Sequence, residues 1–292
     1  MPKDPKSNKR SSRPNNRYAS SGGKRSNPNS PKRIDISGRA NRGGNRPSQK
    51  EHGLGGEQVE GRQAVRELLL GQRRRIREIW LASDIETSPV IEDILDLARD
   101  QRVQVMSVSR RELDREARSE APQGVLAKAA PIEETLLADL LTESRDNPLL
   151  LVAIDGVTDP GNLGAILRCC DGAGVDAVIL PRHRAVHITP TVAKSSAGAI
   201  EYLNMCVVGG LPSALAEMKQ AGVFVVGLDD AAEKSIFEIG EVAKESICLV
   251  LGAEGPGMSR LAKERCDLLV NIPMLGSPLQ KVRHDVMTLI SI

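Results

Sequence analysis

Three stretches of this 292-residue chain place glycines and a few polar groups directly after an apolar run. The first is Asp155-Gly156-Val157-Thr158-Asp159-Pro160-Gly161-Asn162-Leu163-Gly164. Asp159 suits a helix N-cap and Pro160 the first helical position. Leu163, Ile166, Leu167 and Cys170 then share one face, and Arg168 falls roughly 140° from Leu163 on a 100°-per-residue wheel, off that stripe. Gly164, one turn before Arg168, is expected to leave the helix surface bare for a ligand. By position alone Arg168 also reads as a solvated helix arginine, and Asn162 as a simple first-turn hydrogen bond.

The second stretch is Leu251-Gly252-Ala253-Glu254-Gly255-Pro256-Gly257-Met258. Its spacing is G-x-x-G-x-G, not the G-x-G-x-x-G dinucleotide fingerprint, and Glu254 inside the loop would repel a pyrophosphate. A cationic or neutral ligand fits better than a polyphosphate, and a Gly-rich turn with a solvated carboxylate fits equally well. The third stretch, Asn271-Ile272-Pro273-Met274-Leu275-Gly276-Ser277, reads as a strand end turning tightly into a last helix.

These stretches need a scaffold, and the apolar pattern supplies one. The run Leu149-Leu150-Leu151-Val152-Ala153-Ile154 reads as a buried strand, and strand-like runs recur at 177–180, 205–208, 223–228, 247–251 and 268–272, with helical segments between most of them. Such alternation implies an α/β domain over 148–292 with a mainly parallel sheet covered on both faces, where ligands lie beyond the carboxyl ends of the strands. A smaller α/β unit precedes it over 56–130. Its helix starts at Gly61 and closes near Gly71, and a strand carries Ile76, Ile79, Trp80 and Leu81. Ile91, Ile94, Leu95 and Ala98 then mark one helix face, and Val103, Val105 and Val108 a half-buried strand. Ser109 and Glu112 form a capping box, and a last strand runs over 123–127. Residues 131–147 are read as a bridging helix and loop.

Residues 1–55 are Ser, Asn, Gly, Pro, Lys and Arg with almost no apolar content, so they are expected to form a disordered tail. Fourteen basic against two acidic side chains give residues 1–50 a balance of +12, so the whole-chain +2 leaves −10 for the other 242 residues. A basic tail on an acidic body points to a polyanion partner. With Tyr18, Trp80, Tyr202, Phe224 and Phe237 as the whole aromatic set, RNA modules built on stacked bases are excluded. No apolar run approaches the roughly 18 residues of a membrane span, and the N-terminus has no apolar signal core. Cys169, Cys170, Cys206, Cys248 and Cys266 show no C-x-x-C spacing and His52, His183, His187 and His284 are scattered. No metal site or disulfide is expected, and a reducing cytoplasm is the natural compartment.

Together the three stretches resemble the SpoU branch of the SPOUT methyltransferases, also called the TrmH family. Its motifs, D-P-x-N-x-G-x-x-x-R, G-x-E-G-x-G and I-P-M-x-G, occur here in order at residues 159–168, 252–257 and 272–276. Lys194-Ser195-Ser196-Ala197-Gly198-Ala199 is similar to the family's connecting segment, and residues 61–65 and 123–127 look like its ribosomal-protein-like substrate-binding domain. Each motif alone is weak, but four in register across 57–292 are highly specific. The resemblance implies a C-terminal trefoil knot and a homodimer whose active site borrows from both subunits. The implied reaction is transfer of a methyl group from S-adenosylmethionine to a ribose 2′-hydroxyl in RNA. Closest in layout are enzymes acting on a guanosine of 23S ribosomal RNA, with transfer RNA as the alternative substrate.

The resemblance also assigns roles. Arg168 would serve the 2′-hydroxyl, although a guanidinium with a pKa above ~12 is a poor general base. Stabilising the developing alkoxide and fixing the adjacent phosphate suit it better. Asn162 would orient Arg168 or the ribose, and Glu254 would hold the loop or the RNA. Gly252, Ile272, Met274 and Gly276 would line the cofactor pocket. Four positions after Gly276 the family continues S-L-N-V-S, whereas this chain has Gln280-Lys281-Val282-Arg283-His284. Leu279, Val282, Val286 and Leu289 keep a helical apolar face there, while Lys281 would put a cation near the sulfonium. A shifted reading frame near codon 277 and a catalytically weakened RNA-binding homologue both account for the change.

Overall fold

The computed structural model of the chain describes residues 54–182 and 188–273. The expected tail lies almost wholly outside them, as do Met274, Gly276, the altered segment after 278 and any knot built from it.

Within the described residues the N-terminal module is a four-stranded sheet with three helices. In chain order it runs β1 (Gln58–Glu60), α1 (Arg62–Gly71), β2 (Ile76–Ala82), α2 (Pro89–Asp100), β3 (Gln104–Val108), α3 (Arg110–Glu116) and β4 (Val125–Ala129). The strand order is β1-β4-β2-β3, with β2 and β3 parallel and the other pairs antiparallel. Ser109 caps α3 by accepting from the Glu112 amide, the first half of the expected capping box. The buried stripe of α2 is Ile91, Ile94 and Ala98. Leu95, placed on that face by its spacing, is exposed, and Leu97 packs inward in its place.

Strand β1 escapes the apolar pattern because Val59 is its single hydrophobic residue, flanked by Gln58 and Glu60, which are both buried. The Glu60 carboxylate is nevertheless fully partnered. It accepts from Gln58 Nε2 (2.6 Å), the Arg118 and Ser119 amides (2.7 and 3.0 Å) and Ser119 Oγ (2.5 Å). A buried carboxylate costs little only when hydrogen bonds replace its water, and here they also anchor the loop before β4.

The larger domain follows with α4 (Leu137–Thr142), β5 (Leu150–Asp155), α5 (Pro160–Gly172), β6 (Ala177–Pro181), α6 (Pro190–Ser195), β7 (Asn204–Val208), α7 (Leu211–Gln220), β8 (Phe224–Leu228), β9 (Lys234–Ser235), β10 (Ile247–Gly252), α8 (Arg260–Lys263) and β11 (Leu268–Asn271). Seven strands form one parallel sheet in the order β7-β6-β5-β10-β8-β11-β9. The two-residue β9 at its edge is too short to show in the sequence pattern. Alternation along β5 splits the core: Val152 and Ile154 face α5 and α6, while Leu151 and Ala153 face α4, α7 and α8. Both faces are covered, as a parallel sheet requires. The first of these clusters also takes in Val59, Leu68, Ile79 and Val125, so the small module and the large sheet share a hydrophobic core.

Helix α5 forms where its signals stand. Asp159 Oδ1 accepts from the Asn162 amide at 2.7 Å, Pro160 occupies the first turn, and Leu163, Ile166, Leu167 and Cys170 are buried. Burying such a stripe contributes about 1.5–3 kcal/mol per large side chain. The expectation for Gly164 is corrected here. A Cβ on Gly164 would lie 1.9 Å from Ser195 Oγ, 2.7 Å from Ser195 Cβ and 2.9 Å from the Ser196 amide nitrogen. Glycine is present because α6 packs directly on α5, not because a ligand does. Gly164→Ala gains helix propensity of about 1 kcal/mol, yet the Ser196 backbone cannot swing aside. A net loss of about 1–3 kcal/mol is expected in chemical denaturation, the range for an overpacked core.

Tyr202, which caps the 3-10 turn Ala199–Glu201, donates its hydroxyl to Glu67 Oε2 of α1 at 2.7 Å. Burial, and then this bond to a carboxylate, push the phenol up from 10.0 to about 12. A raised pKa means stability that is full below the unfolded value near 10 and lost as pH climbs through about 12. In a Tyr18→Phe background Tyr202 is the last tyrosine, so phenolate absorbance should appear only near the top of that window; ionisation near 10 would contradict the contact.

The five cysteines are free. Burial pushes the thiols of Cys170 up to about 12 and of Cys206 and Cys266 to about 11. Cys248 shifts the same way. These four sit in or against the apolar core as small hydrophobes.

Candidate active site

Strands β5 and β10 pair in parallel over six positions, from Leu150 opposite Ile247 to Asp155 opposite Gly252. Their carboxyl ends therefore coincide, and the 155–162 and 252–258 loops start side by side. From there the chain diverges. The buried side chains of α5, after β5, join the core on one face, whereas Met258 and Ala262, after β10, join the core on the other. Loops leaving adjacent strand ends toward opposite faces open a crevice, the general ligand site of parallel α/β sheets.

Two sequence-selected residues close on each other across this crevice. Asn162 Nδ2 donates to Glu254 Oε2 at 3.2 Å. Asn162 is thereby committed to Glu254 and makes no bond to Arg168. Arg168 stands six residues further along α5, exposed, with no hydrogen bond or ion pair among the described residues.

The glycine loop is a small hairpin. Ala253 and Gly257 exchange both backbone bonds, 3.1 and 2.8 Å, and Gly255 and Gly257 hold φ of +81° and +68°, the left-handed region that glycine occupies without strain. Gly252 itself is needed for a different reason. A Cβ there would sit 2.3 Å from the Gly257 carbonyl carbon and the Met258 nitrogen. The close approach read from the sequence is thus made, at least in part, by the loop to itself.

Residues to which the sequence reading gave no role fasten this loop and its neighbour after β8. Asp155 Oδ2 accepts from the Ser259 amide at 2.7 Å, and Ser259 Oγ caps α8. Lys263 of α8 pairs with Asp229 at 2.5 Å, and that bond holds the Asp229 carboxyl below its usual range. Asp229 opens the loop after β8, which lies between β10 and β11 in the sheet. Asn271 Nδ2 donates to the Ala232 carbonyl at 2.5 Å, tying the end of β11 to this same loop. The signal available in the sequence was Asp229-Asp230 directly after an apolar strand; its meaning depends on strand order, which the sequence does not state. Ile272, half-buried beside Val226 and Ile236, continues the rim, while Met274 and Gly276 fall outside the described residues.

The adjacent strand ends therefore combine glycine backbone with the Glu254 carboxylate, while Asp155 and Asp229 are taken up by the Ser259 amide and the Lys263 ammonium. Among the described residues no group of three or more His, Cys, Asp or Glu could hold a metal ion. The donor set suits a cation or a neutral adenosine-like body better than a pyrophosphate.

Known proteins match this chain along nearly its whole described length. The SpoU rRNA methylase family model matches residues 149–278, and a model described as RNA 2′-O ribose methyltransferase substrate binding matches 58–135. The chain is 40% identical over 224 residues to the 23S rRNA (guanosine-2′-O-)-methyltransferase RlmB of Pseudomonas putida, covering 76% of this chain and 88% of that protein. With its namesake in Pseudomonas aeruginosa the identity is 41% over the same shares. Among solved structures, the SpoU methyltransferase AviRb from Streptomyces viridochromogenes superposes with a TM-score of 0.62 at 24% identity, over 80% of this chain and 90% of that one. That likeness concerns the fold.

Proposed function

Because the chain belongs to the SpoU rRNA methylase family, we propose that it transfers a methyl group from S-adenosylmethionine to a guanosine ribose 2′-hydroxyl of 23S ribosomal RNA. What carries the reading is the 40% identity, sustained over 88% of the length of a relative named for that reaction. The residues fit the cofactor. The glycine hairpin contains no lysine and spends the Ala253 and Gly257 amides on itself, so little remains to cradle phosphates, while its single carboxylate, Glu254, favours a sulfonium cation. S-adenosylmethionine, when bound, supplies an electrophilic methyl group. Gly252 and Ile272, with Met274 and Gly276, would hold it through backbone and apolar contacts.

The chain's own side chains then act on the ribose. Arg168, without a hydrogen bond or ion pair among the described residues, stabilises the negative charge that develops on the 2′-oxygen and fixes the adjacent phosphate through its planar donors. Asn162 and Glu254 hold the two loops in register. Residues 56–130 serve as the RNA-binding module, 131–147 as the connection and 148–292 as the methyltransferase domain, with the basic tail drawn to the RNA backbone. A trefoil knot, a homodimer with a shared site and a cytoplasmic setting belong to the same reading, supported by the motif resemblance and, for the setting, by a ribosomal RNA substrate.

Incubating the purified chain with labelled S-adenosylmethionine and either ribosomal or transfer RNA, then mapping ribose methyl groups, tests the proposal; label found in neither RNA would refute it. One observation favours a second reading. The family match ends at 278, where Gln280–His284 replaces the family's polar motif. A weakened RNA-binding homologue would show no heat on titration with S-adenosylmethionine, while the enzyme would bind.

A further inference from the structure

The small module and the large domain meet where β1 and α1 pack on α6 and the Ala199–Glu201 turn, and different residues clamp the two modules together beside each end of β4. At the Ala130 end, Arg74 places its Nε and Nη2 on the two carboxylate oxygens of Glu201 at 2.8 and 2.6 Å. Its Nη1 donates to the carbonyls of Gly56 and Ala130 at 2.5 and 2.7 Å. The Arg74 and Glu201 side chains are 4% and 3% exposed. One guanidinium thus joins the flanks of β1 and β4 to the large domain, with its planar fork fixing direction as well as distance. Arg73 beside it reaches the Tyr202 and Leu203 carbonyls (2.7 and 3.2 Å) and Asn204 Oδ1 (2.7 Å), at the start of β7.

At the other end of β4, the Lys194 ammonium at the close of α6 donates to the carbonyls of Glu120 and Ala121 at 2.6 and 2.7 Å. Between the clamps, Gly198 (φ +88°) lets the backbone approach α1 so closely that a Cβ would lie 2.5 Å from Glu67 Cβ. A module held at one point can swivel. One held at both ends, over a shared apolar core and a buried ion pair that no other angle would satisfy, cannot.

We propose that Arg73 and Arg74, through Glu201 and Asn204, act as positioning residues that hold the RNA-binding module at one angle to the crevice, and that this angle selects which ribose reaches Arg168. The inference rests on the function proposed above. A fixed module measures distance across a folded RNA: an RNA that grips the module presents one ribose at the crevice and leaves its neighbours out of reach. The substrate class is then a tertiary-folded RNA element, not a short single strand carrying the same target nucleotide.

The test compares wild type with Arg73→Ala and with the pair Arg74→Met/Glu201→Met, which keeps the buried volume and removes the ionic fork. Each protein is given a folded ribosomal RNA domain and a short oligonucleotide containing the target. In the variants KM for the folded RNA should rise at least about tenfold, a loss of ~1.4 kcal/mol in productive binding. The short oligonucleotide should be a poor substrate for every protein, affinity for S-adenosylmethionine should stay unchanged, and methyl groups should appear on riboses neighbouring the target. Should the buried pair variant fail to fold, Arg73→Ala decides, because Arg73 is exposed. Variants with wild-type KM and a single methylated ribose would overturn the inference alone. A wild type that methylates no RNA would overturn the proposed function instead.

Discussion

Arg168→Ala is expected to lower methyl transfer by about 10²–10³-fold, the loss typical of deleting one preorganised donor to a developing oxyanion. Affinity for S-adenosylmethionine should stay at the wild-type value, since the assigned role of Arg168 lies with the ribose. The fold should be indifferent too. Arg168 is exposed on α5, off the stripe of Leu163, Ile166, Leu167 and Cys170, and has no partner among the described residues. Removing such a side chain shifts stability by no more than about 0.5 kcal/mol. Arg168→Lys separates the two parts of the role. The charge remains, but a rounded ammonium cannot grip phosphate and alkoxide through one planar fork, so activity should recover only in part. Single-turnover rates with saturating cofactor make the measurement; an Arg168→Ala protein as fast as wild type would remove Arg168 from the chemistry.

How far the sequence announced this arrangement differs from residue to residue. The run 149–154 betrayed a buried strand because both of its faces are apolar, and β5 indeed sends Val152 one way and Leu151 the other. Asp159 and Pro160 marked the start of α5 because capping is local chemistry. Glu60 hid β1, since a carboxylate in a strand reads as exposed until the Arg118 and Ser119 amides are known to reach it. Gly164 shows the limit most clearly. Spacing establishes that a small residue faces outward from the helix, but whether a ligand or a second helix covers it is tertiary information, and the answer is Ser195.

The crevice was legible in its parts and not in its assembly. Each loop could be picked out by glycines after an apolar run, yet nothing in the sequence said that β5 would lie beside β10, five strands later. That adjacency turns Asn162 and Glu254 into a bonded pair and brings Asp155 to the Ser259 amide. It also inserts β8 between β10 and β11, so Asp229 enters the rim although it belongs to none of the three motifs. The same reasoning explains Lys194: as part of a short motif it has no visible task, and its two carbonyl acceptors come from a loop more than seventy residues earlier.

Gly252→Ala is expected to weaken S-adenosylmethionine binding by at least about tenfold, or ~1.4 kcal/mol, while the rest of the fold persists. The added methyl carbon would sit 2.3 Å from two backbone atoms of the facing strand of the hairpin, Gly257 C and Met258 N. Backbone cannot rotate away as a side chain can, so the hairpin has to open. Opening breaks the two bonds between Ala253 and Gly257 and pulls on Met258, which is buried, and on Ser259, which is held by Asp155. The displacement therefore spreads through the loop proposed to hold the cofactor, whereas β10 stays paired on both sides by β5 and β8. Gly255→Ala supplies the contrast. No atom lies within 4 Å of a Cβ at Gly255, so the cost there is only that of a left-handed backbone, about 1–2 kcal/mol, in a loop already formed. Calorimetric titration of both variants should rank Gly252→Ala well below Gly255→Ala in affinity. Equal affinities would mean that the cofactor does not depend on the close fold of this hairpin.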